Sequence, residues 1–323
     1  MDNETILVLA DPTEPQLRQL EQLPSETGIA VGNTPEAFER AAGDATVIFG
    51  WSLAGKLLRD VFHMAPSVRW VHTRAAGIDN LLFPELIASP TVLTNGSGVF
   101  SQSLGEFVLG AILYFAKDFR RMMDNQREGR WAPFTVAEIS GQTAGIVGYG
   151  DIGRAIATRL RPMGMRVLGM TRRGPLLYNM DPLVSQVYGP GDRIAMVAQC
   201  DYVIVAAPLT ADTRGLMGEA ELAAMKPGAV IINVGRGPVI DEAALIGALR
   251  EKRIRGAALD VFDLEPLPQG HPFYQLDNVL LSPHCADHTA DWLDAAMRFF
   301  LDNFERYRKR EPLLNVVDKQ LGY

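Results

Sequence analysis

The chain has 323 residues, of which 47% are hydrophobic and 21% are charged. This length is roughly twice that of a typical domain, so two compact units are expected, and the composition excludes both a disordered chain and a small disulfide-stapled scaffold. The 31 basic and 38 acidic residues give a net charge of −7, which argues against a nucleic-acid partner but leaves room for a local basic pocket.

Cysteine content and apolar runs indicate the compartment. Cys200 and Cys285 are too few and too far apart for a disulfide framework or a metal-ligand cluster, so we expect neither disulfides nor a metal site. Residues 1–4 lack the positive flank of a signal peptide, and no apolar run approaches the roughly 18 to 20 residues that a membrane span needs. We therefore expect a cytoplasmic protein without a membrane partner.

Short apolar runs alternate with segments of helical period at the start of the chain, as in a parallel sheet covered by helices. The predicted strands are Ile6–Ala10, Thr46–Gly50, Trp70–Thr73 and Thr91–Thr94. The predicted helices, in which apolar residues recur every three or four positions, are Pro12–Leu23, Pro35–Ala42 and Leu53–Phe62. This pattern indicates one small α/β unit.

A long helix is predicted from Ser101 to about Arg130, and a second series of strands follows it. Its members are Ala144–Gly148, Arg166–Met170, Tyr202–Ala207, Ala229–Val234, Gly256–Leu259 and Val279–Leu281. Strands in this order, mostly separated by helical patterns, predict a doubly wound dinucleotide-binding sheet. The stretch Ala290–Arg310 is predicted to be a final amphipathic helix.

A glycine-rich motif opens the second series. Its residues, which follow the first strand and begin a predicted helix, are Gly148, Tyr149, Gly150, Asp151, Ile152 and Gly153. Strand, glycines and helix in this order are typical of a dinucleotide-binding turn. Gly148 permits the tight turn, Gly150 lets the backbone approach a pyrophosphate, and Gly153 lets the helix lie close to the strand. The alternative is a glycine-rich turn without a ligand.

The residue that selects between NAD and NADP is expected about 20 positions further on, at the end of the next strand. That strand ends in Thr171, Arg172 and Arg173, and no carboxylate appears before Asp181. A carboxylate would repel a 2′-phosphate, whereas a guanidinium binds it through paired charge-assisted hydrogen bonds. We predict that NADP(H) is preferred and NAD(H) is the second option; the alternative is that the arginines cap a solvated loop.

Three polar residues follow the later strands, at the edge where open α/β sheets bind ligands. Arg236 follows the fourth strand of the second series, Glu265 lies beyond the fifth, and His284 lies beyond the sixth. Each residue alone is weak evidence. Together they supply a cation, a carboxylate and an imidazole, the groups that acid–base chemistry on an anionic substrate needs.

With these residues in place, the sequence resembles the D-isomer-specific 2-hydroxyacid dehydrogenases, the family of glyoxylate and hydroxypyruvate reductases. The resemblance covers nearly the whole chain. Its most specific segments are Lys226-Pro227-Gly228-Ala229, Asn233-Val234-Gly235-Arg236-Gly237, Ala258-Leu259-Asp260-Val261-Phe262, Glu265-Pro266 and Ser282-Pro283-His284. It implies two doubly wound parallel-sheet α/β domains. A Rossmann-type cofactor domain, residues 99–286, is inserted in a flavodoxin-like substrate-binding domain formed by residues 1–98 and 287–323.

The resemblance also implies roles for individual residues. Arg236 would bind the substrate carboxylate and carbonyl, His284 would transfer the proton, and Glu265 would orient that histidine. Asp260 would hold the nicotinamide carboxamide. The further residues assigned to the cofactor site are Pro208 and Val234.

The first domain is expected to contribute to the substrate site. The loop after Arg74 resembles the family loop whose backbone N–H groups bind the substrate carboxylate, here at Ala76 and Gly77. Its alternative is a simple strand-ending turn. Trp51 follows the second strand and is assigned to the wall of the substrate pocket, with a core or surface indole as the alternative.

The segment after His284 departs from the family pattern. Small apolar residues are usual there, whereas this chain has Cys285, Ala286, Asp287 and His288. A second titrating group so close to the predicted acid/base residue leaves the choice of substrate open.

These observations predict NADPH-dependent reduction of small 2-oxo acids, such as glyoxylate or hydroxypyruvate, to D-2-hydroxy acids. The expected partner is therefore a small 2-oxo or 2-hydroxy acid. The alternative is a dinucleotide-sensing corepressor on the same fold, since some members of the family act through protein contacts. The long helix from Ser101 and the family habit predict a homodimer.

Overall fold

The computed structural model describes residues 4–52, 54–172 and 181–323. Two compact units are present: Met1–Phe100 together with Thr289–Tyr323, and Ser101–His288. The predicted boundaries lay after residues 98 and 286, whereas the units change after residues 100 and 288. The second unit is thus an uninterrupted insert between the two segments that form the first.

The secondary structure alternates strands with helices along the described chain. The strands are β1 (Thr5–Leu9), β2 (Gly28–Gly32), β3 (Val47–Gly50), β4 (Trp70–Thr73), β5 (Val92–Thr94), β6 (Thr143–Val147), β7 (Arg166–Met170), β8 (Gln186–Tyr188), β9 (Tyr202–Val205), β10 (Val230–Asn233), β11 (Gly256–Leu259) and β12 (Val279–Leu281). The α-helices are α1 (Gly55–Met64), α2 (Pro84–Ala88), α3 (Ser101–Lys117), α4 (Phe119–Arg127), α5 (Asp151–Leu160), α6 (Arg193–Val197), α7 (Glu219–Ala224), α8 (Glu242–Arg250) and α9 (Trp292–Arg308).

The sheet of the first unit is parallel, and its described strands have the order β2-β1-β3-β4-β5. This is the flavodoxin-like order. On one face, buried Phe49, Trp51 and Trp70 pack with Phe300 and Phe304 of α9. Because α9 comes from the C-terminal segment, the two ends of the chain share one core.

The sheet of the second unit is also parallel, with the described order β12-β11-β10-β9-β6-β7-β8. Read from β6, this is the doubly wound dinucleotide-binding order with one more strand at the β12 edge. Helices α3 and α5 cover one face, where Val108, Ile112 and Ile156 are buried. The two sheets confirm the predicted fold class of two doubly wound parallel-sheet α/β domains.

Some elements differ from the prediction. Strands β2 and β8, both of which lie at a sheet edge, were not predicted from the sequence. The long helix predicted from Ser101 is two helices, because Asp118 has a φ of +53° and its side chain caps α4 by accepting from Arg121 N at 3.4 Å. Instead of the predicted helices near the start of the chain, Pro15–Gln22 and Pro35–Phe38 form 3-10 turns.

Three findings bear on membranes, metals and thiols. Among the described residues, no helix has the length and apolar character to cross a membrane. Nor does this part of the chain hold a group of three or more His, Cys, Asp or Glu placed to bind a metal ion. Cys200 and Cys285 are free thiols, and burial raises the pKa of Cys200 to about 12, so Cys200 is an inert core residue.

Candidate functional site

The glycine-rich turn links β6 directly to α5. Gly148 has a φ of +94°, and a Cβ there would lie 2.5 Å from the backbone nitrogen of Ala207. A Cβ on Gly153 would lie 2.7 Å from the Gly148 carbonyl oxygen, whereas a Cβ on Gly150 would meet no atom within 4 Å. Ile152 packs against the sheet. The turn and the helix packing therefore require Gly148 and Gly153, while Gly150 faces open space.

The open space at Gly150 fits the pyrophosphate of a dinucleotide. It lies at the start of α5, where the first N–H groups of a helix lack partners within the helix. Asp151 begins this helix and accepts a hydrogen bond from Ser101 Oγ. The ring of Tyr149 is buried, and its hydroxyl donates to Asp181 Oδ2 at 3.0 Å, so this side chain belongs to the core beneath the turn.

The predicted selector residues lie at the end of β7, whose last carbonyl accepts hydrogen bonds from the glycine-rich turn. Thr171 is partly buried there. Arg172 is exposed, with its Nη1 3.4 Å from Asp212 Oδ2. Arg173, the third predicted residue, lies outside the described residues. The structure therefore brings Thr171 and Arg172 next to the glycine-rich turn.

The turns after β9 and β10 also pack at this edge. A Cβ on Gly235 would lie 2.6 Å from the carbonyl oxygen of Ala207. Ala207 is also the residue whose nitrogen a Cβ on Gly148 would meet. Pro208 is exposed directly after Ala207, and Val234 is buried at the end of β10. Both predicted cofactor residues are thus at the carboxyl edge of the sheet, beside the glycine-rich turn.

The loop that carries Arg236 is held by a buried asparagine. Asn233 Oδ1 accepts from Gly235 N, and Asn233 Nδ2 donates to the Arg236 carbonyl, both at 3.0 Å. A Cβ on Gly237 would lie 2.0 Å from the carbonyl carbon of Phe262, so this loop also packs against the loop after β11. Asn233 had no predicted role, and its only signal in the sequence is that it is a polar residue at the end of an apolar strand.

His284 and Glu265 form a hydrogen-bonded pair. The distance from His284 Nδ1 to Glu265 Oε2 is 2.6 Å, and Glu265 Oε1 accepts from Phe262 N at 2.9 Å. The hydrogen bond to Glu265 raises the pKa of His284, although burial opposes this. Burial would raise the pKa of Glu265, but the hydrogen bonds from His284 and Phe262 lower it. With Nδ1 bound to Glu265, Nε2 is the ring nitrogen at which a proton can be exchanged with a ligand.

Asp260 is 2% exposed and binds the segment around His284. Its Oδ1 accepts from Ser282 Oγ at 2.5 Å, from Cys285 N at 3.0 Å and from Ala286 N at 3.1 Å. One oxygen of Asp260, predicted to hold the nicotinamide carboxamide, thus has three partners within the protein. This contribution of Asp260 to the shape of the loop was not predicted from the sequence.

The residues that depart from the family pattern form a tight turn after His284. His288 N donates to the Cys285 carbonyl at 3.0 Å and closes the turn. Asp287 is largely buried, and burial raises its pKa; its Oδ1 is 3.7 Å from His288 Nε2. Two further titratable groups therefore lie close in sequence to His284, and their effect on substrate choice stays a prediction.

The predicted residues of the first unit lie after β3 and β4. Ala76 and Gly77 are partly exposed, and their N–H groups donate to no other described residue. The Ala76 carbonyl accepts from Asn95 Nδ2 at 2.7 Å. Trp51 is buried, with the Arg74 guanidinium 5.0 Å from its ring centroid. Its ring belongs to the core of this unit, as in the alternative of a core indole.

A family model matches a large part of the chain. The model of the NAD binding domain of D-isomer specific 2-hydroxyacid dehydrogenases matches residues 109–286, which is more than half of the sequence. This protein belongs to the D-isomer-specific 2-hydroxyacid dehydrogenase family. The resemblance noted in the sequence is therefore confirmed, and the family places the chain among the NAD(P)-dependent oxidoreductases.

Individual relatives agree with the family. The chain is 34% identical to the glyoxylate reductase of Thermofilum pendens, over 83% of this chain and 80% of that protein. It is 30% identical to the D-3-phosphoglycerate dehydrogenase of Methanocaldococcus jannaschii over 97% of this chain, but it spans only 59% of the length of that relative.

Solved structures of the family superpose on the whole chain. A D-isomer specific 2-hydroxyacid dehydrogenase from Xanthobacter autotrophicus, in complex with NADPH and MES, is 30% identical with a TM-score of 0.83, and the match covers 100% of both chains. An NADPH-dependent glyoxylate/hydroxypyruvate reductase from Sinorhizobium meliloti, in complex with NADP and sulfate, is 25% identical with a TM-score of 0.84, again over 100% of both chains.

Proposed function

We propose that this protein reduces small 2-oxo acids to D-2-hydroxy acids with NADPH, and that glyoxylate and hydroxypyruvate are the first substrates to test. The observation that carries the proposal is the 2.6 Å pair of His284 and Glu265, in the same unit as Arg236 and the glycine-rich turn. The names of the relatives support the substrate class, since they include glyoxylate and hydroxypyruvate reductases.

The chemistry needs a proton and a fixed positive charge from the protein, because bound NADPH supplies the hydride. The hydrogen bond to Glu265 raises the pKa of His284 and so favours its protonated form, which donates the Nε2 proton to the substrate carbonyl oxygen as that oxygen gains negative charge. Arg236 binds the substrate carboxylate and polarises the carbonyl through a forked, permanently charged guanidinium. In the reverse direction, neutral His284 accepts the proton of the hydroxy acid.

The two units take different parts in this proposal. The second unit would hold the dinucleotide: the turn Gly148–Gly153 would bind its pyrophosphate, and Asp260 would bind its nicotinamide carboxamide. The first unit binds substrate, and the N–H groups of Ala76 and Gly77 donate to the substrate carboxylate. Their lack of partners among the described residues supports this role, because N–H groups without partners are ready anion donors.

The preference for NADPH rests on Arg172, and on Arg173 from the sequence alone. A charge-assisted hydrogen bond contributes roughly 1.5–3 kcal/mol, so one arginine on the 2′-phosphate gives at least about a tenfold preference over NADH. Asp212, 3.4 Å from Arg172, competes with the phosphate for the guanidinium. The NADPH complex of the Xanthobacter relative supports the same choice.

The proposal is tested by a spectrophotometric screen of small 2-oxo acids with NADPH and NADH in parallel. We expect oxidation of NADPH with glyoxylate or hydroxypyruvate, and a lower kcat/KM with NADH. No turnover of any 2-oxo acid would refute the function, while equal or reversed efficiencies would refute only the cofactor preference. The corepressor alternative is not favoured, because the relatives carry enzyme names.

We also propose that the protein is a homodimer, while a cytoplasmic location stays a prediction from the sequence. Exposed apolar side chains on α4 and in the segment after it support a partner chain. They are Phe119, Met122, Met123, Trp131 and Val136, and Trp131 is 97% exposed. Light scattering is expected to give twice the monomer mass; a monomer mass would contradict the proposal.

A further inference from the structure

The backbone of His284 has a conformation that few side chains adopt. Its φ is +52°, in the left-handed region that favours glycine. Such a conformation persists at a non-glycine residue only when its surroundings hold it in place. The contacts of the residues that follow His284 therefore decide whether its ring stays aligned with Glu265.

One side of the segment after His284 is held by its N–H groups. The left-handed turn directs the N–H groups of Cys285 and Ala286 to the same oxygen, Oδ1 of Asp260, at 3.0 and 3.1 Å. Ser282 Oγ, before the turn, donates to that oxygen as well, at 2.5 Å. Asp260 thus anchors the chain on both sides of His284.

A carbonyl group of the same segment, that of Ala286, is bound from the other side. Ser103 Oγ donates to the Ala286 carbonyl oxygen at 2.6 Å, across 183 positions of the chain. Within the described residues, no second donor reaches this carbonyl. Ser103 lies in the first turn of α3, so a different element of the fold fixes the peptide group two residues after His284.

The first turn of α3 is itself anchored to the helix that follows the glycine-rich turn. Ser101 Oγ donates to the carboxylate of Asp151, the first residue of α5. Arg159 Nη2, near the end of α5, donates to Gln102 Oε1 at 2.8 Å and to Glu106 Oε1 at 3.1 Å. The hydroxyl of Ser103 is therefore presented from a rigid pair of helices.

We propose that Ser103 is a positioning residue for His284: its hydrogen bond to the Ala286 carbonyl maintains the left-handed turn that aligns the imidazole with Glu265. The role of His284 in catalysis rests on the proposed function, but the alignment does not. Removal of the hydroxyl frees the carbonyl, lets the turn relax, and lowers the fraction of molecules in which Nδ1 contacts Glu265.

The charged and titratable groups that face His284 determine how the loss of its contact with Glu265 changes its titration. They are Glu265 and Asp260 after β11, Arg236 after β10, and Asp287 in the same turn. Glu265 makes the hydrogen bond that favours the protonated imidazole, and Arg236 opposes protonation. A looser contact with Glu265 therefore moves the titration of His284 to lower pH.

Ser103→Ala and Ser103→Thr test the proposal in the full chain. The imidazole of His284 is titrated by NMR, with His284→Asn to assign its resonance, and kcat and KM for 2-oxo acid reduction are measured against pH. For Ser103→Ala we expect titration at lower pH and a loss in kcat on the order of tenfold, with little change in KM. Ser103→Thr keeps the hydroxyl and should restore both.

A matched control separates positioning from general stabilisation. Thr158 Oγ1 donates to the Arg154 carbonyl at 2.9 Å within α5, so Thr158→Val removes a similar hydrogen bond away from the turn. It should leave the titration of His284 unchanged. An unaltered titration in folded Ser103→Ala, or a loss that Ser103→Thr does not restore, would overturn the inference. An inactive wild type with a normal Ser103 effect in NMR would overturn the proposed function alone.

Discussion

Replacement of Glu265 by Gln tests the acid–base pair directly. Glutamine keeps the size of the side chain, but it removes the negative charge and leaves one oxygen to accept from His284 Nδ1 or from Phe262 N, whereas glutamate accepts from both. A hydrogen bond to a charged group contributes roughly 1.5–3 kcal/mol, against roughly 0.5–1.5 kcal/mol for a neutral one. The two side chains are 43% and 34% exposed, so solvent screens the pair. We therefore expect the charge of Glu265 to stabilise the protonated form of His284 by about 1 kcal/mol, which corresponds to about a fivefold change in the protonation equilibrium of the imidazole.

The effect of this substitution depends on pH. His284 donates its proton in the reduction, so the active form is present below its pKa, which the hydrogen bond to Glu265 raises. At pH values below the pKa of His284 in both proteins, Glu265→Gln and the wild type should have similar kcat/KM. Above it, the variant should be about fivefold less active, because less of its imidazole is protonated. Initial rates of NADPH oxidation, measured from about pH 5.5 to about pH 9, give both profiles.

Two controls make the comparison decisive. NADPH affinity should match the wild type, since Glu265 is not part of the glycine-rich turn, and thermal unfolding should show that the variant is folded at the assay temperature. His284→Ala should lose most turnover over the whole pH range and still bind NADPH. If the profile of Glu265→Gln has the same midpoint as that of the wild type, the charge of Glu265 does not govern the protonation of His284.

Three more predictions concern the fold and the cofactor turn. Burial lowers the pKa of His72 to about 3, so the unfolded chain binds a proton at this residue first as the pH falls, and His72 should contribute a loss of about 2 kcal/mol of unfolding free energy between pH 7 and pH 5. Urea unfolding should show this loss in the wild type but not in His72→Phe; equal pH dependence would exclude His72 as its source. Lys319 donates to three backbone carbonyls between residues 86 and 91, so Lys319→Met should cost roughly 1–2 kcal/mol in the same assay, while exposed Lys309→Met should cost almost nothing. Gly150→Val should keep the melting temperature and weaken NADPH binding by roughly tenfold or more, whereas Gly153→Val should destabilise the fold by roughly 1–3 kcal/mol. Calorimetric titration measures NADPH binding and thermal unfolding measures stability. A destabilised Gly150→Val, or a Gly153→Val of unchanged stability, would contradict the assigned roles of the two glycines.

Buried strands were the best predicted elements of the fold. The predicted limits of Trp70–Thr73 and Arg166–Met170 are those of β4 and β7, two parallel strands in which every residue except Arg166 is buried. Two edge strands escaped prediction: Gly28–Gly32 begins and ends with glycine and is half exposed, and Gln186–Tyr188 has only three residues. The break at Asp118 carries no glycine or proline, so the local sequence continued to indicate a helix.

Residue types and the order of the strands were enough to predict the members of the candidate site and the sheet edge to which they belong. Arg236, Glu265 and His284 follow separate strands, and parallel strands bring their carboxyl ends to one edge. The 2.6 Å contact between His284 and Glu265, and the hydrogen bond from Ser103 to the turn beside it, are visible only in the folded chain. Hydrogen bonds between segments as many as 183 positions apart depend on how helices and loops pack. A single hydroxyl in the first turn of a helix leaves no local pattern by which it could be found.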